Sequence, residues 1–416
     1  MIYIIKNAWA LLIGMLLLMI GNGLQGTLLG IRGSIEGFSP ATMSYVMSAY
    51  MIGMLLGSRA APLLIQNVGH VRVFAALASL ISAVFIGFAV WVDPVAWFLF
   101  RLVVGFCFSG VYVVAESWLN DSSTNENRGK TMSAYMVVQM LGITIAQVIV
   151  NFADPSTFIL FALISILVSI SFAPILLSVS KVPVFNTSKK MSLSKLYETS
   201  PLCCIGMILL GSIFSLLFGM TAVFGSEKGF SVSEISILVG SIYVASLLSQ
   251  YPIGYFSDRV DRRLLIIYIS SLAFLFLSLG MIMSNNFYFV MFIFVVAGSL
   301  ANPLYSIFIA YTNDYLESGD MASAAGGLVF MSGVGGIFSP ILAGQLMVYF
   351  GPDSFIYSII FMFFLIAIFG IYRSTRRSSL DTESATSHVA IMPQATNVAV
   401  EISQEKAIQE ADSIKN

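Results

Sequence analysis

The chain is predicted to be an all-α membrane protein, with twelve transmembrane helices arranged as two six-helix pseudo-repeats. Three observations carry that prediction. Hydrophobic residues make up 58% of the chain and charged residues only 10%, too little charge to cover a water-soluble protein of this length. The apolar residues fall into about twelve runs, each near the roughly 20 residues that a helix needs to cross the hydrocarbon. Short polar motifs recur at nearly equal offsets. Asn120-Asp121 ends the fourth run and Asn313-Asp314 the tenth, while Val68-Gly69-His70-Val71-Arg72 follows the second and Val260-Asp261-Arg262-Arg263 the eighth. Parallel duplicated halves require such spacing.

Taken in order, the first run, 7–31, lacks a small-residue cleavage pattern and is too long for a removable signal, so it reads as a retained span. The remaining spans are expected at 41–66, 73–93, 95–119, 131–152, 157–179, 201–225, 232–256, 264–284, 286–312, 323–349 and 354–374. The longest internal polar segment, 180–200, splits them six and six. Residues 1–179 then form an N-terminal bundle, 180–200 a cytoplasmic linker and 201–377 a C-terminal bundle. The segment 378–416 is polar and is expected to be a disordered cytoplasmic tail, in which 395–411 has the composition of a weak helix formed on docking.

The net charge of −1 says little, but the placement of charge says much. One side of the spans holds Lys6, Arg72, Arg128, Lys130, Lys181, Lys189, Lys190, Lys195, Arg259, Arg262, Arg263, Arg373, Arg376 and Arg377; the other holds little beyond Arg32 and Lys228. This bias puts both termini and the linker on the cytoplasmic side. Cys107, Cys203 and Cys204 all lie in apolar runs without metal-ligand spacing and read as small buried residues. No phosphate loop, zinc helix motif or nucleophile elbow is present, so an enzyme is not expected, and neither a cofactor nor a metal site.

Polar side chains inside the spans are the candidates for chemistry. Asn22, Gln25, Gln139, Gln147, Tyr243, Gln250, Asn302, Tyr305 and Tyr311 are placed to line a cavity for a neutral or weakly polar solute; interhelical hydrogen bonding is the plainer reading of each. Arg101 and Glu116 both lie in the fourth span, about 22 Å apart at 1.5 Å per residue, so they do not pair. Glu116 is expected either to pair with Arg59 in the second span or to be protonated in one conformation. Arg101 either snorkels to the interface or is functional, as charges inside membranes commonly are. The third, sixth, ninth and twelfth spans are almost purely apolar and are expected to face lipid.

The turn Tyr251-Pro252-Ile253-Gly254-Tyr255-Phe256-Ser257-Asp258-Arg259-Val260-Asp261-Arg262-Arg263 joins two spans and packs five charges into six positions. It resembles the signature loop of the major facilitator superfamily, with Asp261 where that family usually has Gly. Arg101-Leu102-Val103-Val104-Gly105 is similar to the family's Arg-x-x-x-Gly pattern, which is linked to proton coupling. Together with Val68–Ala78, Glu116-Ser117-Trp118-Leu119-Asn120 and Asn125-Glu126-Asn127-Arg128-Gly129, these stretches resemble the bacterial YcaD-like branch. The resemblance implies a major facilitator fold and a cytoplasmic gate built from Asp258, Arg259, Arg262, Arg263 and Asp314, with Asp314 pairing to Arg259 or Arg262. In the first half Gln66 and Asn67 replace the acidic-basic pair, so that gate would rest on Arg72, Asp121 and Arg128.

The function expected is a secondary active transporter of the bacterial inner membrane. It would move a small organic solute by alternating access, coupled to protons through Arg101, Glu116 and Arg59. Efflux of amphiphilic drugs and, less in keeping with the short tail, a non-transporting membrane sensor are the alternatives. The expected partners are a small-molecule substrate, protons and the lipid bilayer; no nucleic acid is expected, and the chain would act as a monomer.

Overall fold

A computed structural model describes residues 2–121, 123, 128–177, 191–283, 286–316, 318–376, 391, 396 and 398–400. Among them, twelve segments are long and apolar enough to cross a membrane. Their ends agree with the sequence reading to about one helical turn. The first five spans are α1 (Ile2–Ile35), α2 (Pro40–Val68), α3 (His70–Val90), α4 (Pro94–Asp121) and α5 (Arg128–Ile149). The sixth is broken into α6 (Ile159–Ser171) and α7 (Ala173–Leu177), and a short helix, α8 (Leu193–Thr199), follows in the linker. The seventh runs from α9 (Pro201–Ser215) through a π-helical turn at Leu216–Met220 into α10 (Thr221–Glu227). The last five are α11 (Val232–Ser257), α12 (Arg262–Gly280), α13 (Phe287–Asn313), α14 (Ser318–Phe350) and α15 (Ser354–Ser374). Residues 178–190 of the linker lie outside the described residues, as does most of the segment 378–416.

The chain forms two compact units. Unit 1 comprises Met1–Thr187, Phe218–Gly240 and Pro340–Pro352; unit 2 comprises Ser188–Leu217, Ser241–Ser339 and Asp353–Asn416. The seventh, eighth and eleventh spans therefore each pass from one unit to the other along their length.

In unit 1, α2 lies directly on α4. Gly53 meets the Leu102 carbonyl, Gly57 the Phe106 carbonyl and Gly105 the Tyr50 carbonyl, leaving no room for a Cβ at any of the three. Small residues permit this backbone approach, which supplies the dispersion contact that drives helix association in lipid. The helix ends away from the basic turns are equally close: Gly30 of α1 abuts Ala222 of α10, and Gly344 of α14 abuts Ser44 of α2. Asn151 donates to Ser236 Oγ at 2.9 Å nearby. Arg32 holds the following loop by donating to the carbonyls of Pro155, Ser156 and Thr157. In that loop Asp154 accepts the Ser156 N–H at 2.9 Å, which holds its carboxyl below the usual range.

In unit 2 the α9–α14 crossing is again backbone to backbone, with Gly211 on Ser332 and Gly335 on Ile208. Pro340 removes a helical donor inside α14. The carbonyl left without its partner is that of Gly336, and Ser215 Oγ donates to it at 2.7 Å. The twelfth span departs from expectation. Its most apolar stretch is 61% buried, against 33–44% for the third, sixth and ninth. It packs between α12 and α9 rather than facing outward along its length.

Candidate functional site

Unit 1 carries a buried hydrogen-bonded network on α1, α2 and α4. Arg101 is 4% exposed. It donates to Gln25 Oε1 at 3.0 Å and to Met47 Sδ at 3.2 Å, and it stands 4.7 Å over the Tyr50 ring. Gln25 passes the chain on to Asn22 Oδ1 at 2.7 Å, and Asn22 donates to the Tyr112 hydroxyl at 3.0 Å. The Tyr50 hydroxyl also reaches Asn22, at 3.4 Å. Among the described residues no carboxylate meets Arg101, and its Nε has no acceptor. The cation is held only by amide, thioether and ring dipoles, a weak compensation for a desolvated charge.

Unit 2 has a second cluster, on α11 and α13. Asn302 donates to Gln250 Oε1 at 3.1 Å and to the Ser246 carbonyl at 3.2 Å. Gln250 donates to Ser306 Oγ at 2.8 Å. The offset that carries Asp121 onto Asp314 carries Gly53 onto Ser246, Gly57 onto Gln250 and Gly105 onto Gly298. Both halves keep a glycine at the third position of this crossing, but Ser246 and Gln250 stand in the second half where the first has Gly53 and Gly57.

The third feature is ionic. Arg262, 3% exposed at its side chain, pairs with Asp314 at 2.6 Å and Asp258 at 3.4 Å. Asp261 caps α12, its carboxylate accepting the Arg263 N–H at 2.8 Å. Arg259 takes no part in the pairing with Asp314; it stacks on the Tyr255 ring at 3.5 Å and donates to that residue's carbonyl.

The chain as a whole is similar to known proteins. The family model described as Major Facilitator Superfamily matches residues 11–231 and 202–406. The chain belongs to the Major Facilitator Superfamily. Relatives of this facilitator include the uncharacterized MFS-type transporter YcaD of Escherichia fergusonii, 23% identical over 89% of this chain and 96% of that one. The YcaD of an Escherichia coli strain is 25% identical over 82% of this chain and 89% of its own. Among solved structures, a mutant form of the nucleoside transporter NupG superposes with a TM-score of 0.77 at 16% identity, covering 88% of this facilitator and 99% of that chain. A bacterial homologue of the human lysosomal transporter Spinster, inward-facing and unoccupied, gives 0.65 at 12% identity over 97% and 98%. Twelve apolar helices and these relatives make the facilitator a multi-pass membrane protein.

Sequence-predicted residues are distributed unevenly over these features. Arg101, Gln25 and Asn22 converge, as do Gln250 and Asn302, and as do Asp258, Arg262 and Asp314. Gln147 instead accepts from Thr27 at 2.8 Å and donates to the Gly23 carbonyl, tying α5 to α1. Gln139 is buried on α5 outside the network, and Tyr243 is buried on α11. Tyr305 sets its ring against Phe214 at 6.0 Å, and Tyr311 against Tyr315 at 5.0 Å. Glu116 is 1% exposed, whereas Arg59 and Arg72 are exposed. Arg263 is buried 3.9 Å from Asp261. The side chains of Asp121 and Arg128 lie outside the described residues.

Tyr50, Tyr112 and Ser306 join these clusters without having been singled out from the sequence. A tyrosine or serine inside an apolar run is common, and only its neighbours mark it. His70 is another: its Nε2 lies 2.9 Å from Ser117 Oγ, joining α3 to α4 beside Glu116.

Proposed function

We propose that this facilitator is a secondary active transporter of a small organic solute, working by alternating access and driven by protons. The observation that carries the reading is Arg101: a buried guanidinium that meets no carboxylate among the described residues and is held by Gln25 of α1 and by Met47 and Tyr50 of α2. A cation kept at that cost is best explained by a partner that comes and goes, whether a polar solute or the charge balance of a proton carrier. Glu116, buried on the same helix, is the proton-accepting candidate, with Arg59 of the second span as its modulator. The Gln250–Asn302–Ser306 cluster supplies neutral donors and acceptors for the solute. The Asp258–Arg262–Asp314 set is a latch that breaks and reforms as the cytoplasmic side opens and closes. The charge bias supports both termini on the cytoplasmic face of a bacterial inner membrane.

The test is uptake into proteoliposomes from a panel of radiolabelled small metabolites, with and without an imposed pH gradient. Saturable uptake that the gradient accelerates, and that Arg101→Leu abolishes in folded protein, is expected. Uptake equal to that of empty vesicles under every gradient would overturn transport. Uptake indifferent to pH, in both the parent and Glu116→Gln, would overturn the proton coupling. The sign of the effective gradient separates import from efflux.

A further inference from the structure

Part of the chain's own C-terminal segment is seated in the unit 2 cluster. Ile391 donates its backbone N–H to Ser306 Oγ at 2.9 Å, and Ser306 Oγ donates to the Ile391 carbonyl at 3.1 Å. With the bond from Gln250, the Ser306 hydroxyl is saturated: two donors received and one proton given. Ser306 is on α13, about 10 Å in from the Asn313 end at 1.5 Å per residue, so the segment has entered the depth of the helices. Ile391, Thr396 and Ala399 are each no more than 5% exposed, and Val400 is fully buried. Val398–Val400 are helical, and the Val398 N–H bonds Thr396 Oγ1 at 3.3 Å.

The sequence around this contact suits burial. From Val389 to Val400 there is no Asp, Glu, Lys or Arg, although Asp381, Glu383 and Glu401 flank it. A charged segment would have to shed its hydration to enter; this one carries only Gln394, Thr396 and Asn397 as polar side chains. A serine hydroxyl that grips the N–H and C=O of one residue recognises backbone rather than side chain. Its ligand class is an uncharged peptide or secondary amide.

We propose that the Gln250–Asn302–Ser306 cluster is a peptide-backbone site whose resident occupant is the Ile391 backbone of the same chain. A solute must displace Ile391 to use the cluster. This deepens the transport reading and rests on it for the word solute, but occupancy itself is measured without transport. The reporter is Ser306→Cys in a chain whose Cys107, Cys203 and Cys204 are replaced by serine. Maleimide labelling is followed in the purified protein, in the full chain and in a chain ending at Arg377. Labelling at least tenfold faster in the shortened chain is expected, and a synthetic peptide of residues 389–400 should slow it again. The same peptide with Asp at the Ile391 position should not. Ile391→Asp in the full chain should speed labelling without shortening anything, which keeps the test open if the shortened chain does not fold. Equal rates in the full chain and in Ile391→Asp, both eluting as folded protein, would overturn the proposal while leaving transport untouched.

Discussion

Arg101 and Arg262 are both buried arginines, and they make opposite predictions. Arg262 has Asp314 at 2.6 Å, so removing that carboxylate takes from a desolvated charge the nearer of its two acidic partners. Asp314→Asn is expected to cost roughly 3–5 kcal/mol if the charge stays buried. Asp258 lies at 3.4 Å and is 41% exposed, so Asp258→Asn should cost about 0.5 kcal/mol. Denaturation of the single and double variants, closed as a mutant cycle, would show the inequality; equal losses would refute the assignment of Asp314 as the principal partner. Among the described residues Arg101 has no carboxylate to strand. Arg101→Leu should leave the melting temperature unchanged or raised while uptake is lost, since a buried charge without its counter-ion destabilises the fold that holds it. The sequence exposed both arginines as charges inside or beside apolar runs. It left Asp314 open between Arg259 and Arg262, because the turn allows either and only α12 packed on α13 decides. Gln25 and Arg101 could not be joined from sequence at all, being 76 positions apart on different helices.

The helices were the most legible elements, because a bilayer span must satisfy its own backbone and so advertises its length in apolar residues. Their special positions were harder to read. Asp261 departs from the family's glycine, yet it accepts the Arg263 N–H and starts α12. Asp261→Ala should therefore cost about 1 kcal/mol, whereas Asp261→Gly, the family's residue, should cost only a few tenths. Thermal melting of the pair checks this; equal losses would mean that the cap is idle. Gly53, Gly57 and Gly105 bring α2 and α4 together backbone to backbone. Gly105→Leu, placed against the Tyr50 carbonyl, should prevent folding or lower the yield severalfold, as a wedge between backbones must. The tail's polar composition suggested disorder. The signal that some of it docks was the charge-free run Val389–Val400, which stands out only once Ile391 is seen on Ser306.

For the whole molecule, the charge bias makes a prediction that needs no substrate. Reporters placed in the Arg262 turn and after the last residue should both be reached from the cytoplasmic side and neither from outside; opposite sides would invert the scheme. Duplication was visible from sequence as matched Asn-Asp pairs. That the two copies of one helix crossing differ, with Gly53 and Gly57 in the first matched by Ser246 and Gln250 in the second, was hidden until the chain was folded. The chain's passage between its two units also has a mechanical consequence. It crosses inside helices at 217–218, 240–241 and 339–340. The first crossing is in the π turn, the second follows Gly240 and the third precedes Pro340. At the π turn and at Pro340 the regular backbone ladder is interrupted, and Gly240 has no side chain to stiffen it. These are the joints where long rods flex most cheaply. Pro340→Ala would give the Gly336 carbonyl a helical donor in competition with the Ser215 hydroxyl, stiffening one joint while leaving every ionic contact in place.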